Sequence, residues 1–275
     1  MSFTIIGGSG FIGSALVSKL CADGHNVFVP ERDDHRLFQR DLGHVIYAAG
    51  VTADFRTRPF DTMRAHVGLL ALLLEHASFK SFLYLSSARI YRHAAETHEG
   101  APISVQSELL EDYYDLTKLA GEALCHASGR ENVRVARLSN VIGRDFQSKN
   151  FIFDLIRSAS EYGRIKLRSA LDSEKDYVII EDVAAVLPLI AMSGKQRCYN
   201  IATGSNTTHA QIVNAITTQT GASCTVVQGA PRIACPPIDI RRLQSEFRFE
   251  PQDFLSRIPP LVTEFWNTAN AENRS

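Results

Sequence analysis

Thr4-Ile5-Ile6-Gly7-Gly8-Ser9-Gly10-Phe11-Ile12-Gly13 is the most informative stretch of this chain. It reads as a short apolar strand, a glycine-rich turn and the start of an amphipathic helix. Glycines let a backbone approach a pyrophosphate, a helix N-terminus offers free N–H groups, and the last glycine lets the helix pack closely on the strand. The spacing fits both G-x-G-x-x-G and G-x-x-G-x-x-G. We therefore predict a dinucleotide site that includes Gly7, Gly10, Phe11, Ile12 and Gly13.

A second strand follows, and an acidic residue stands near its end. Val27-Phe28-Val29 is apolar and leads through a proline to Glu31 and Arg32. A carboxylate at this spacing can bind the ribose 2′-hydroxyl of NAD, so we predict NAD as the cofactor. The adjacent Arg32 leaves NADP possible, because a guanidinium can pair with a 2′-phosphate. Only about a dozen residues separate Glu31 from the next strand at Val45, so the helix and strand that usually lie between them should be shortened or absent.

Two further motifs place a serine, a tyrosine and a lysine for proton transfer. Ser86 and Ser87 follow an apolar strand, and Tyr114-x-x-x-Lys118 opens a helix. Residues four apart on a helix project from the same face, so the Lys118 ammonium should hold the pKa of the Tyr114 phenol below its free value near 10. A phenol with such a pKa can move a proton near neutral pH. We predict Ser87, Tyr114 and Lys118 as the catalytic residues, with Ser86 as the second choice for the serine.

Three more motifs complete a recognisable order along the chain. They are Ala48-Ala49-Gly50, Arg137-Leu138-Ser139-Asn140-Val141-Ile142-Gly143 and Asp176-Tyr177-Val178-Ile179-Ile180-Glu181-Asp182-Val183-Ala184. With these motifs the chain resembles the extended short-chain dehydrogenase/reductases, the NAD-dependent epimerase/dehydratase family that acts mainly on nucleotide sugars. The resemblance runs from residue 3 to about 204. It implies an α/β fold, in which a Rossmann-type doubly wound parallel sheet of seven strands carries a small C-terminal substrate lobe.

The resemblance also implies roles for individual residues. The implied cofactor contacts are Ala48, Ala49, Gly50, Tyr114 and Lys118, in addition to the glycine segment, Glu31 and Arg32. The implied substrate contacts are Ser87, Asn140, Lys175 and Arg242. Two cations among them suit the pyrophosphate of a nucleoside-diphosphate sugar. His66 stands where the family usually has asparagine, and we interpret it as a packed or capping residue rather than a catalyst.

The same comparison suggests a division of the chain and an assembly. Residues 1–143 and 176–204 are expected to form the dinucleotide-binding domain, and residues 144–175 and 205–275 the substrate-binding lobe. Residues 60–78 read as a long helix that is apolar almost all round, which indicates burial. Helices at this place and at the Tyr/Lys motif often join two subunits in the family, so a homodimer is expected. Packing within one core is the alternative.

The implied chemistry is transfer of a hydride at a ring carbon, most often C4, while Tyr114 moves the proton of the oxygen on that carbon. The family's 4,6-dehydratases carry Asp-Glu directly after the serine or threonine, whereas this chain has Ala88 and Arg89. Neither residue can act as a carboxylic acid, so dehydration is disfavoured. A 4-epimerase and a 4-keto sugar-nucleotide reductase both remain open. A protein of this fold that only senses the dinucleotide is a third alternative.

Composition narrows the class of protein further. The net charge is −1 over 275 residues, which gives no basic footprint, so nucleic acid as the principal partner is disfavoured. The five cysteines are odd in number and widely spaced, as expected of reduced thiols, and the nine histidines show no zinc spacing, so no metal is expected. No apolar run approaches eighteen residues. We therefore expect a cytoplasmic protein without a membrane segment.

Overall fold

The computed structural model describes residues 1–52 and 54–272. The strands are β1 Ser2–Ile6, β2 Asn26–Phe28, β3 His44–Tyr47, β4 Ser81–Ser87, β5 Val133–Leu138, β6 Asn140–Ile142, β7 Arg164–Leu167, β8 Glu174–Lys175, β9 Tyr177–Ile179, β10 Cys198–Ile201, β11 Thr207–Thr208 and β12 Ser223–Val226. The α-helices are α1 Phe11–Ala22, α2 Pro59–Met63, α3 Leu69–His76, α4 Leu110–Ala127, α5 Phe151–Tyr162, α6 Ile180–Ser193, α7 His209–Thr220, α8 Arg241–Phe247 and α9 Ile258–Glu272. Short 3-10 helices cover His35–Phe38, Ala88–His93 and Leu255–Arg257.

One parallel sheet forms the centre of the molecule, with the strand order β2-β1-β3-β4-β5-β10. The order reverses at β1, because the chain turns to β2 on one side and to β3 on the other. β1 and β3 pair in register from Phe3 with His44 to Ile6 with Tyr47, so their carboxyl ends lie side by side. Ligands of open α/β sheets bind in the crevice at such a reversal point. The predicted Rossmann-type doubly wound fold is confirmed.

In the part of the chain that the structure describes, the sheet ends at β2, without the further strand that the family pattern has on this side. Residues 29–43 connect β2 to β3, and their regular structure is the single 3-10 helix His35–Phe38. This short connection has no length for both a helix and a further parallel strand. Among the described residues the sheet therefore has six strands. The expected shortening is confirmed, and the expectation of seven strands is wrong.

Helices cover both faces of the sheet. On one face, α1 and α6 pack against β1 and β4, and Leu16, Leu187 and Ile190 are fully buried there. On the other face, α3 and α4 pack against β3 and β5, with Leu70 and Leu73 fully buried. Burial on both faces explains why these strands read as continuous apolar runs rather than alternating ones.

A second core lies beside the sheet. Its buried side chains come from α5, β7, α7 and α9, together with Tyr177 of β9. β7 pairs with β12, and β8 pairs with β11, in two small separate sheets. Residues 205–275 do not all contribute to this second core, because Leu243 of α8 packs in the core of the main sheet. The domain boundaries that the sequence suggests stay a prediction, and their last three residues lie outside the described part of the chain.

The long helix expected over residues 60–78 contains one irregular turn. α2 runs into a π-helical turn, Arg64–Gly68, which leads directly into α3. The helix is not buried all round, because Phe60 is 76% exposed and Leu72 is 48% exposed. Exposed apolar side chains on this helix and at the start of α4 are compatible with a partner, and the homodimer stays a prediction.

Three further features concern the thiols, the helices and the arrangement of metal-binding side chains. All five cysteines are free thiols. None of the helices in residues 1–52 and 54–272 is long and apolar enough to cross a membrane. The same residues contain no group of three or more side chains arranged to hold a metal ion.

Candidate active site

The turn between β1 and α1 can be built only with glycine at two positions. Gly7 has φ +81°, and a Cβ there would lie 2.7 Å from the backbone nitrogen of Ala49. A Cβ at Gly13 would lie 2.1 Å from the carbonyl oxygen of Gly7. Both distances are well below a normal carbon contact, so a side chain at either position would push α1 or β3 away from β1. The close approach of these backbones forms the floor of the crevice.

The start of α1 offers an open site for an anion. Gly10 is the N-cap residue, it is exposed, and no side chain caps this end of the helix. The N–H groups of the first turn therefore point outward without a side-chain acceptor, and the helix dipole adds positive potential. Phe11 and Ile12 follow, half-buried, and Ile12 packs against the main core. A glycine cradle beside an uncapped helix N-terminus fits the diphosphate of a dinucleotide.

The end of β2 lies beside the glycine turn. A Cβ at Gly8 would lie 2.6 Å from Cγ1 of Val29, so the strand end and the turn are in direct contact. Glu31 and Arg32 follow and are both exposed. They are therefore accessible to the adenosine ribose of a dinucleotide bound in the crevice, as the sequence-based roles require.

Ser87, Tyr114 and Lys118 lie close together at the carboxyl end of β4. Ser87 ends β4 and is half-buried, while Tyr114 and Lys118 lie on α4 with exposed fractions of 5%. The Ser87 hydroxyl oxygen accepts a hydrogen bond from the backbone N–H of Arg89 at 3.2 Å. This bond leaves the Ser87 hydroxyl proton free to be donated to another group.

Burial dominates the titration of the Tyr114 phenol. It raises the pKa of Tyr114 above its ordinary value, while hydrogen bonding by Thr52 and Ser87 and the charge of Arg89 offset part of the increase. The expectation of a pKa below 10 is therefore wrong. Lys118 does not produce that effect because its Nζ lies 6.0 Å from the centre of the phenol ring and donates to the Leu85 carbonyl at 2.9 Å.

The surroundings of Lys118 strongly lower the pKa of its ammonium group. Burial lowers the pKa of Lys118 to about 7, and the negative charge of Glu122 opposes part of this change. A Cβ at Gly50 would lie 3.7 Å from Lys118 Nζ. The Ala48-Ala49-Gly50 segment at the end of β3 therefore lies next to the lysine, so the residues predicted to contact the cofactor and the Tyr/Lys pair are neighbours in the structure.

A buried polar network ties α4 to the sheet below this site. Glu122 and Arg137 form an ion pair with a shortest distance of 2.6 Å, and their side chains are 4% and 7% exposed. Ser86 donates its hydroxyl to Glu122 at 2.5 Å. The Ser86 hydroxyl is therefore committed to the network, which removes Ser86 as an alternative to Ser87.

The predicted substrate residues do not all lie at the crevice. Asn140, at the start of β6, is exposed, and its amide nitrogen donates to the Asp176 carbonyl at 2.8 Å. Lys175 lies in β8 and has no ion pair within the part of the chain that the structure describes. Arg242 donates to the carbonyl of Cys198 at 2.8 Å. Cys198 lies at the amino end of β10, and the substrate contact expected of Arg242 stays a prediction.

Thr52 and Arg89 are site residues that the sequence reasoning missed. The guanidinium of Arg89 lies 5.5 Å from the Tyr114 ring centre and 5.1 Å from that of Phe55. Arg89 also pairs with Glu111. Their positions in the sequence could have indicated that they belong to the site, because Arg89 is two residues after Ser87 and Thr52 is two residues after Gly50.

Comparison with protein families identifies the family of this chain. A model of the NAD dependent epimerase/dehydratase family matches residues 3–202, so the chain belongs to this family. A search of curated protein sequences finds no significant match to the chain.

Several solved structures share the fold at low sequence identity. MoeE5 in complex with UDP-glucose and NAD has a TM-score of 0.81 and 22% identity over 98% of this chain and 99% of its own. TunA, an NAD dependent NDP-hexosamine 5,6-dehydratase of tunicamycin biosynthesis, has a TM-score of 0.81 and 20% identity over 97% and 98%. The UDP-glucose 4-epimerase of Thermotoga maritima, with UDP-glucose, has a TM-score of 0.80 and 21% identity over 98% and 100%. These matches extend the likeness in fold through the C-terminal residues.

We expect Glu122→Ala to lower the free energy of unfolding by about 3–5 kcal/mol, because it leaves the buried Arg137 guanidinium without its carboxylate. Urea unfolding followed by circular dichroism measures the change. Glu131→Ala, at an exposed position just after α4, is the matched control and should have little effect. Equal unfolding midpoints for the two variants would mean that the network contributes no net stability.

Proposed function

We propose that this protein moves a hydride at a ring carbon, C4 in the first instance, of a nucleoside-diphosphate sugar, with NAD(H) as cofactor. The observation that carries the proposal is the meeting of two features in one crevice. An uncapped helix N-terminus with a glycine cradle lies at the end of β1, and Ser87, Tyr114 and Lys118 lie at the end of β4. Membership of the NAD dependent epimerase/dehydratase family supports the same assignment.

Each residue has a role that its position allows. When bound, the dinucleotide supplies the acceptor or donor of the hydride. The glycine turn and the first turn of α1 would hold its diphosphate, Glu31 the adenosine ribose, and Lys118 the second ribose. Ser87, whose hydroxyl lies beside the Tyr114 phenol, would hydrogen-bond the oxygen on the reacting carbon.

Tyr114 is the proposed proton-transfer group. Its raised pKa keeps the phenol protonated at neutral pH, so it can donate a proton to the oxygen of a ketone as that group is reduced. In the opposite direction Tyr114 must first be a phenolate, which takes the proton of the substrate hydroxyl as the hydride leaves the carbon, and the nearby Arg89 guanidinium would stabilise that phenolate.

Two reactions of this kind are compatible with the residues, and a third is disfavoured. Elimination of water needs an acid and a base near the reacting carbons, whereas Ala88 and the cationic Arg89 follow Ser87. An epimerase keeps its dinucleotide through the cycle, and a reductase exchanges it. Native mass spectrometry of freshly purified protein separates the two, because retained NAD(H) favours an epimerase and an empty site a reductase.

Tyr114→Phe should lower turnover by about two to four orders of magnitude while leaving the fold and dinucleotide binding unchanged, because it removes one oxygen. Steady-state kinetics and calorimetric titration of NAD measure the two properties. Tyr113→Phe is the matched control, since its hydroxyl bonds the Pro59 carbonyl on the outer side of α4. Normal turnover by the Tyr114 variant would rule out the proposed proton transfer.

We expect the protein to bind NADH about ten-fold more tightly than NADPH, because Glu31 can hydrogen-bond the 2′-hydroxyl and repels a 2′-phosphate. Glu31→Ala should remove this preference, and Arg32→Ala should strengthen it. Calorimetric titration of both dinucleotides with the three proteins measures the ratio. Tighter binding of NADPH to the unaltered protein would instead make Arg32 the selecting residue.

A nucleoside diphosphate should stabilise the NAD-bound protein. MoeE5 and the Thermotoga maritima epimerase were solved with UDP-glucose, which supports this substrate class for a chain with Lys175 free to meet a phosphate. Thermal denaturation with UDP, dTDP, GDP and CDP tests it, since a ligand at a hundred times its Kd adds about 2.7 kcal/mol. Lys175→Ala should reduce the stabilisation, and Lys166→Ala, exposed on β7, should not. No stabilisation by any of the four would indicate a smaller hydroxy or keto substrate.

A further inference from the structure

The π-helical turn between α2 and α3 carries a fully buried histidine. His66 has an exposed fraction of 0%, and its ring meets the Tyr114 ring edge-on with 5.3 Å between centres. Single π turns inside α-helices are rare and occur frequently at functional sites. Burial, and to a smaller extent the positive charge of Lys118, lower the pKa of His66 to about 2, so the imidazole is neutral at working pH.

Hydrogen bonds to α4 define which ring nitrogen carries the proton. The Thr117 hydroxyl donates to the Tyr114 carbonyl at 2.8 Å, so its proton is already used. His66 Nδ1 lies 2.8 Å from the same hydroxyl oxygen. The tautomer that satisfies both bonds donates from Nδ1, and it leaves Nε2 with a free lone pair.

That lone pair has no partner in the described residues, although it is completely buried. Such an acceptor costs stability unless a donor reaches it. A Cβ at Gly50 would lie 3.0 Å from His66 Nε2 and 3.7 Å from Lys118 Nζ, so both nitrogens pack against the same side of Gly50. Lys118 uses one of its three N–H donors on Leu85 and has two to spare.

We propose that His66 is a positioning residue whose Nε2 accepts a hydrogen bond from one bound water, which in turn accepts one from the Lys118 ammonium, and that it thereby holds that lysine charged beside the cofactor crevice. The π turn would then serve to aim the imidazole at the lysine. This replaces the interpretation of His66 as a residue of packing alone.

Other ionisable groups surround the pair without taking this role. Glu122 lies one helical turn after Lys118 but its carboxylate is engaged with Arg137. Tyr84 of β4 presents its ring 5.1 Å from Lys118 Nζ, and Tyr47 of β3 donates its hydroxyl to the Ala65 carbonyl. Burial raises the pKa of both phenols, so they stay neutral. The remaining neighbour is the Tyr114 phenol, whose protonation Lys118 would influence.

The test is the titration of Lys118 in the intact protein without dinucleotide or substrate. The chain has seven lysines, so 13Cε-labelled lysine gives few NMR signals, and Lys118→Arg identifies the one required. His66→Asn keeps an N–H for Thr117 but has no acceptor at the Nε2 position. We expect it to lower the pKa of Lys118 by about one pH unit, since a hydrogen bond to a charged group is lost.

Two further variants complete the experiment. His66→Gln, whose side-chain oxygen can reach the Nε2 position, should restore most of the pKa. His76→Asn, at an exposed position on α3, is the matched control and should leave it unchanged. In the active enzyme, the loss of turnover as Lys118 deprotonates should move to lower pH in His66→Asn by the same amount.

An unchanged pKa of Lys118 in His66→Asn would overturn the proposal. If that variant also bound NAD more weakly, the Nε2 lone pair would be assigned to the dinucleotide instead of the lysine. Should His66→Asn fail to fold, the 15N resonance of Nε2 in the unaltered protein decides: a hydrogen-bonded position supports the proposal, and a free lone pair overturns it. The inference rests on the proposed role of Lys118. Since the titration needs no turnover, a failed substrate search would refute the function without touching this result.

Discussion

A buried ion pair between Glu122 and Arg137 holds the geometry of the candidate site. It joins α4 to β5, and the hydroxyl of Ser86 extends the contact to β4. The Tyr/Lys pair projects from α4 and the serine from the end of β4, so the separation of these groups depends on how the helix is seated. Buried ion pairs contribute little net stability compared with apolar packing, but leaving one partner alone is costly. The pair therefore constrains the position of α4 more than it adds to the stability of the fold.

The same burial that orders the site also determines its protonation. Desolvation disfavours charge, so it raises the pKa of the Tyr114 phenol and lowers that of the Lys118 ammonium. Lys118 is the more sensitive of the two near neutral pH, because its pKa lies at about 7. The groups that can keep it charged therefore matter for the proton transfer proposed at Tyr114, and His66 is placed to be one of them.

Much of the architecture was predictable from local patterns. The glycines at the end of β1 have a steric requirement that any chain with this turn must meet, and the Tyr/Lys spacing follows from helical geometry. The roles of residues far from these motifs were less predictable. Arg242 reads as a phosphate contact by its position in the chain, yet it bonds Cys198 at the amino end of β10. Side-chain direction on a short helix depends on what that helix packs against, which sequence spacing does not encode.

The sequence by itself determined the class of fold, the glycine turn at the end of β1 and the tyrosine and lysine that share one face of α4, because each depends on local geometry or on short motifs. Only the tertiary structure decided which serine is available, since Ser86 is committed to Glu122. It also decided the sign of the change in the pKa of Tyr114, because desolvation depends on what covers a group in three dimensions. The free lone pair of His66 belongs to the same category, since it arises from contacts between residues about fifty positions apart in the chain.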